Sequence, residues 1–285
     1  MQANPRFSRQ TKPFWACVRV IGQAVGYTVR GQNSIKVPML QEIHDAYAGL
    51  DLSTADLGTV AAPSPLAQEL HAYFEYRADI LNNFVAPRLM DVDAARALFH
   101  QLKNAHQPTC PLPMNKQKAE KKAEAYFTGI INTLIQANIG VNNCDYDPRT
   151  LTSITNNNSP LRTLSRRVDG AFPSVIDPIA IWEIKEYYYT TTFGSRVADG
   201  VYETLLDGME LHELFEHENR KVLHYLMVDS HYTWWVCGRS YLCRIIDMLN
   251  TGYVDEVLFG SEVVERIPQI AQSWATQLRG LPGGA

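Results

Sequence analysis

An acid, a gap of thirteen residues, and then an acid-x-lysine triplet inside an apolar run place the tightest limit on how this 285-residue chain can fold. The segment reads RRVDGAFPSVIDPIAIWEIKEYYYTTTFGSR, with Asp169 before the gap and Glu183, Ile184 and Lys185 after it. Two strands are expected, over residues 164–172 and 179–189, with Asp169 closing the first. Side chains alternate along a strand, so Glu183 and Lys185 share a face with Ile179 and Ile181, while Ala180, Trp182 and Ile184 take the other. A strand that is apolar on both faces is buried, as in the middle of an α/β sheet. A Glu and a Lys in such a strand need compensation, which pairing with each other and with a metal ion supplies.

The flanking chain supports that placement. Residues 14–28, 37–49 and 64–104 read mostly as helices, with Ser64 as a cap ahead of Pro65 and Asp91 or Asp93 as the next cap. Three prolines in residues 106–115 mark a linker or rigid turn, so the expected division is a mainly helical region, 1–115, suited to DNA recognition or dimerisation, and a core, 116–285. Residues 116–138 read as one helix with Ala123, Tyr126, Phe127, Ile130, Ile131, Leu134 and Ile135 as its apolar stripe. Residues 139–160 read as irregular loop. After the motif strands come a helix from Ser195, a strand over 221–236, a helix ending at Gly252, a short strand, and a helix from Ser261 that Pro268 should bend. The expected order from residue 116 is α-β-β-α-β-α-β-α, an α/β fold with a mixed central sheet flanked by helices.

Asp169…Glu183-x-Lys185 resembles the PD-(D/E)xK nuclease motif shared by type II restriction endonucleases and many repair and resolvase nucleases. The resemblance covers roughly residues 117–260 and departs from the pattern in having Val168 where the family often has proline. It implies a restriction-endonuclease-like core and a Mg²⁺-dependent, sequence-specific DNA endonuclease leaving 5′-phosphates. It assigns Asp169 and Glu183 as metal ligands, the Ile184 carbonyl as a third, and Lys185 beside the attacking water, a donor set suited to a hard ion. It also implies a homodimer acting on double-stranded DNA, and a cognate DNA methyltransferase. A repair, recombination or phage-defence nuclease of the same fold fits these residues too, as does a non-catalytic DNA-binding subunit.

Other residues are candidates around that core. Asp177 is a rival first acid, but the following proline marks it as a turn residue. Glu124, one turn after Glu120, is a candidate additional acid on the expected helix; the competing reading is an exposed i,i+4 charge pattern with Lys116, Lys118, Lys121 and Lys122. Arg162, Arg166 and Arg167 are candidate DNA contacts, or a solvated basic edge. In residues 190–196, Gly194 permits close backbone approach, and Ser195 and Arg196 suit a phosphate at a helix start. Glu203, two turns into that helix, reads as structural. Trp234 and Trp235 read as core.

Composition excludes several classes. No run approaches the roughly 18 apolar residues of a membrane span, and the polar, basic first fifteen residues hold no signal segment. Five scattered cysteines without a CxxC pair point to the cytoplasm and away from disulfides or structural zinc. His212 and His217 are five apart, about 140° around a helix, and cannot share a zinc ion. No GxxxxGK[ST] loop is present, which argues against an ATP-driven restriction subunit. Residues 1–167 carry 18 Lys and Arg against 13 Asp and Glu, and residues 168–285 carry 8 against 17, within a net charge of −4. A basic front and a carboxylate-rich back fit phosphate gripping by one region and chemistry in the other.

Overall fold

The computed structural model describes residues 1–29, 31–117, 120–189 and 194–280. Four helices lead: α1 (Lys12–Val25), α2 (Leu40–Ala48), α3 (Pro65–Asp79) and α4 (Val92–His106). Local chemistry sets their starts. The Ser64 hydroxyl accepts from the Ala67 amide ahead of Pro65, and the Asp91 carboxylate accepts from the Ala94 amide at 2.8 Å. A short hairpin follows, β1 (Met114–Gln117) with β2 (Glu120–Glu124), and then α5 (Tyr126–Asn138).

The single helix expected over 116–138 is therefore wrong in its first half. Its apolar stripe begins only at Tyr126, and the lysine-rich stretch before it offers a helix no face to bury. The stretch expected as loop holds an edge strand, β3 (Asp145–Tyr146), and a hairpin, β4 (Ser153–Asn156) with β5 (Ser159–Thr163). Asn157 and Asn158 turn that hairpin with positive φ.

The main sheet has the order β3-β6-β7-β8-β9, with β6 (Gly170–Phe172), β7 (Ala180–Glu186), β8 (Leu223–Asp229) and β9 (Glu256–Phe259). β3, β6 and β7 run antiparallel, and β7, β8 and β9 run parallel. The crossovers are α6 (Ser195–Glu218) and α7 (Arg239–Asn250), and α8 (Val263–Gly280) closes the described chain with Pro268 inside it. The chain is thus a mixed α/β fold whose five-stranded sheet is flanked by helices. Where one strand was expected over 221–236, β8 stops at Asp229 and residues 231–237 wind into a π-helix.

Each sheet face has its own core. Ala180, Trp182, Met227 and Leu258 pack with α4, α5 and α8, and Trp182 stacks on Trp274 with ring centroids 5.4 Å apart. Gly170 makes this possible: a Cβ there would stand 2.1 Å from the Trp182 ring. Ile179, expected on the opposite face, precedes the strand and packs with the Trp182 side. On the other face Leu226, Val228, Val257 and Phe259 meet α7 and the Trp234 and Trp235 rings. Ile181 joins a smaller cluster with Leu211 and Leu214 of α6 and with Ile154, Leu164 and Val168.

The front helices have a core of their own around Phe14, Trp15, Leu70, Tyr73 and Phe74. A buried ion pair joins it to the sheet domain. Arg77 of α3, 1% exposed, donates to both oxygens of Asp247 on α7 at 3.0 and 3.1 Å, and the Tyr73 hydroxyl donates to the same carboxylate at 2.5 Å. Burial opposes the Arg77 charge, but Asp247 outweighs it and keeps the guanidinium protonated. Breaking one half of such a pair leaves a buried charge unpaired. Asp247→Ala is expected to lower stability by about 3–5 kcal/mol in urea unfolding, and Arg77→Met combined with Asp247→Leu to recover most of that loss. A loss below about 1 kcal/mol in the single variant would contradict this account.

Candidate active site

β7 and α6 build the site. Glu183 and Lys185 project from β7 toward α6 and are 0% and 7% exposed. Lys185 Nζ donates to Glu183 Oε2 at 2.7 Å and to Glu203 Oε2 of α6 at 3.1 Å. Gly200 lets α6 come this close: a Cβ there would stand 2.7 Å from Tyr187 Oη and 3.2 Å from Lys185 Cδ. The Lys185 carbonyl accepts from the Trp234 indole at 3.4 Å, which ties this part of β7 to the π-helix.

Asp169 immediately precedes β6 rather than closing a strand, although its backbone already joins the ladder. Its amide donates to the Trp182 carbonyl at 3.1 Å, and its own carbonyl accepts from Asp147 at 2.9 Å. Asp169 Oδ2 accepts from the Ile184 amide at 2.7 Å, so the carboxylate lies across the start of Glu183-Ile184-Lys185. The expected triad of Asp169, Glu183 and Lys185 is thus brought together across adjacent strands, with Ile184 joined to it through its N–H.

Arg166 enters the same cluster. Its guanidinium stands 3.0 Å from Glu183 Oε1 and donates to Glu183 Oε2 at 3.1 Å, to Asp207 Oδ2 at 2.5 Å and to Glu203 Oε2 at 3.3 Å. This candidate DNA contact thus faces inward, toward two buried carboxylates that need its charge. Glu203, read as structural, bridges both cations. Asp207 was not anticipated, although Gly200, Glu203 and Asp207 follow one helical face directly after the lysine strand, and that spacing was available in the sequence.

The remaining candidates lie elsewhere. Glu124 sits on β2 and pairs with Lys103 of α4 at 3.1 Å, so it is neither a helical acid nor part of a helical charge pattern. Arg162 pairs with Glu213 at 3.2 Å. Arg167 is exposed and lines a groove of about 500 Å³ with Asp147, Leu151, Ser165, Arg166, Val168 and Asp169. Ser195 and Arg196 are exposed at the start of α6, where the Arg196 carbonyl accepts from Tyr187 at 3.1 Å. Residues 190–193 lie outside the described residues. Asp177 occupies a positive-φ turn and accepts from the Thr155 amide at 2.8 Å and from Arg220 at 3.2 Å.

The electrostatics follow from burial and neighbours. Burial and the Glu183 charge push Asp169 up to about 6, with Lys185 and the Ile184 amide pulling the other way. Burial and Glu183 likewise push Asp207 up to about 7 against the pull of Arg166. Burial opposes the Glu183 charge too, but Lys185 and Arg166 outweigh it and hold Glu183 below its ordinary range. Burial also opposes the Lys185 charge, and Glu183 and Asp169 outweigh it, so the amine stays an ammonium.

The donor chemistry suits a hard divalent ion, which takes one or two carboxylates and completes its shell with water and phosphate oxygens. Glu183 Oε1 is buried and makes no hydrogen bond, although Arg166 is at ion-pair distance. Among the described residues no three His, Cys, Asp or Glu side chains are grouped so as to hold a metal by themselves. An ion at this position would have Asp169 and Glu183 as its candidate protein ligands and would complete its shell with water or substrate oxygens.

The chain belongs to a family described as Domain of unknown function (DUF7687), whose model matches residues 90–274. A second model, Domain of unknown function (DUF7690), matches residues 1–84. One matched segment ends at residue 84 and the other begins at residue 90. α4 falls on the DUF7687 side, consistent with its packing on α5. No curated protein and no solved structure matches the chain. Among the described residues no helix is long and apolar enough to cross a membrane.

The raised Asp169 carboxyl has a measurable consequence. Its value of about 6 in the fold lies above the ordinary 3.8, so the native state keeps a proton that the unfolded chain gives up at lower pH. The stability this contributes is present below about pH 4 and is lost as pH rises through 6. Asp169→Asn, which keeps an oxygen for the Ile184 amide, is expected to be more stable than wild type at pH 8 by on the order of 2 kcal/mol and nearly equal to it at pH 4. Urea unfolding at both pH values checks this, and an equal difference at the two would contradict it.

Proposed function

We propose that this chain is a Mg²⁺-dependent endonuclease of the restriction-enzyme type, with a restriction-endonuclease-like core, acting on double-stranded DNA. One observation carries the reading. Glu183 and Lys185 lie buried side by side on β7, Asp169 is tied to the backbone between them, and Asp169 opens on a groove lined by Arg166 and Arg167.

Asp169 and Glu183 would hold the ion. A bound Mg²⁺ supplies charge neutralisation at the phosphate and a more acidic water. Lys185 acts as a fixed cation, since its neighbours hold it protonated and remove it as a base. Its ammonium orients the attacking water and offsets charge building on the phosphoryl oxygens. Arg167 and Ser165, exposed on the groove wall, would position the DNA backbone without reading sequence. A pair of chains would cut the two strands of a symmetric site, and a partner methyltransferase would protect the host copy of that site.

The test is incubation of the full chain with unmethylated phage DNA, with Mg²⁺ and with EDTA, alongside Asp169→Ala, Glu183→Ala and Lys185→Ala. Discrete Mg²⁺-dependent fragments are expected from wild type. Each variant should cleave about a hundredfold slower or worse, with DNA binding largely kept. A variant cutting at the wild-type rate would remove its residue from the site. A smear would replace the restriction reading with a non-specific or structure-directed nuclease.

A further inference from the structure

Arg166 has no place in the motif, yet it makes more contacts in the acid cluster than any other side chain there. Its guanidinium is within 3.1 Å of both oxygens of Glu183, the carboxylate that would hold a divalent ion. Lys185 already engages one of those oxygens. A third cation cannot settle on Glu183 while both are in place, because like charges a few ångströms apart repel strongly at protein dielectric constants. The cluster nonetheless attracts cations, since among the described residues Glu183, Glu203 and Asp207 pair with Arg166 and Lys185 alone and Asp169 adds a fourth carboxylate beside them.

We propose that Arg166 is a latch on the metal site: its guanidinium takes the cation position beside Glu183, and a divalent ion gains that carboxylate only when Arg166 turns out into the groove. The proposal rests on the metal reading given above. Two features of the chain support the latch itself. Asp207, 0% exposed on α6, has Arg166 as its one partner among the described residues, and its second oxygen is buried without a hydrogen bond. It holds Arg166 in the inward position and makes no other hydrogen bond or ion pair among the described residues. The outward path is open as well, because the Arg166 side chain is 23% exposed and lines the groove with Ser165 and Arg167. Turned outward, the same guanidinium would face a DNA phosphate, so release of the latch and grip on substrate become one movement.

The test is titration of Mn²⁺ alone, without DNA, into the full chain at pH 8, followed calorimetrically. Removing a cation by Arg166→Gln should raise Mn²⁺ affinity about tenfold or more. The sharper variant is Asp207→Asn, which keeps the buried shape and reads the latch even where a thermal melt shows Arg166→Gln to be unfolded. Simple charge attraction says that losing an anion weakens cation binding. The latch requires the opposite, a severalfold gain, because Arg166 loses its inward anchor. A fall or no change in Asp207→Asn overturns the latch, whatever Arg166→Gln shows. Glu183→Gln separates the two claims: if it abolishes Mn²⁺ binding while Asp207→Asn gains nothing, the latch fails and the metal reading stands. If Mn²⁺ binding is absent throughout or indifferent to Glu183→Gln, the metal reading fails and the latch goes with it.

Discussion

A carboxylate and an ammonium on the inner face of a central strand constrain everything around them. Glu183 is fully buried and Lys185 nearly so, and a buried ion pair rarely recovers its desolvation cost from Coulomb attraction alone. The fold answers with more charge rather than less. Arg166 comes in from the loop before β6, and Glu203 and Asp207 come from α6, so each member of the pair meets a second partner. This requires α6 to approach β7 closely, which is where Gly200 matters. It also leaves Asp169 and Asp207 with carboxyls that hold protons far more readily than usual. A cluster of this kind weakens the native state at neutral pH, and strain of that sort concentrates at functional sites.

The opposite face of the same strand is built for rigidity. Trp182 stacks between sheet and helix on Trp274, with Phe172 and Tyr225 against the same indole. Gly170 clears the space for Trp182 next to the residue that carries the site's first acid. β7 is therefore clamped by aromatic packing on one side while it carries charge on the other. The Trp234 contact to the Lys185 carbonyl and the Arg77–Asp247 pair extend that support to the π-helix and the front helices.

What the sequence revealed follows from which physics is local. The period-two alternation through Trp182, Glu183, Ile184 and Lys185 assigned the faces of β7 correctly, because a buried strand must sort its side chains this way. Ile179 was misassigned because it precedes the strand, and alternation says nothing where a strand begins. The caps at Ser64 and Asp91 and the stripe of α5 were legible for the same local reason. The β1–β2 and β4–β5 hairpins were not, being short and mostly polar in sequence, with no long apolar alternation to announce them. Arg166 was visible as a charge, but its inward direction depends on Glu183 and Asp207, 17 and 41 residues away in sequence. Asp207 itself required knowing that α6 lies over β7.

The central claim is that the Glu183–Lys185 pair is kept for chemistry rather than for holding the fold together. The most direct measurement is paired unfolding and DNA cleavage on one double variant, Glu183→Gln with Lys185→Met, which removes both charges and leaves Arg166 its bonds to Asp207 and Glu203. The account predicts stability within about 1 kcal/mol of wild type, or above it, together with loss of Mg²⁺-dependent cleavage. A loss of about 3 kcal/mol or more with cleavage retained would mean that the pair is a structural brace and that the chemistry lies elsewhere.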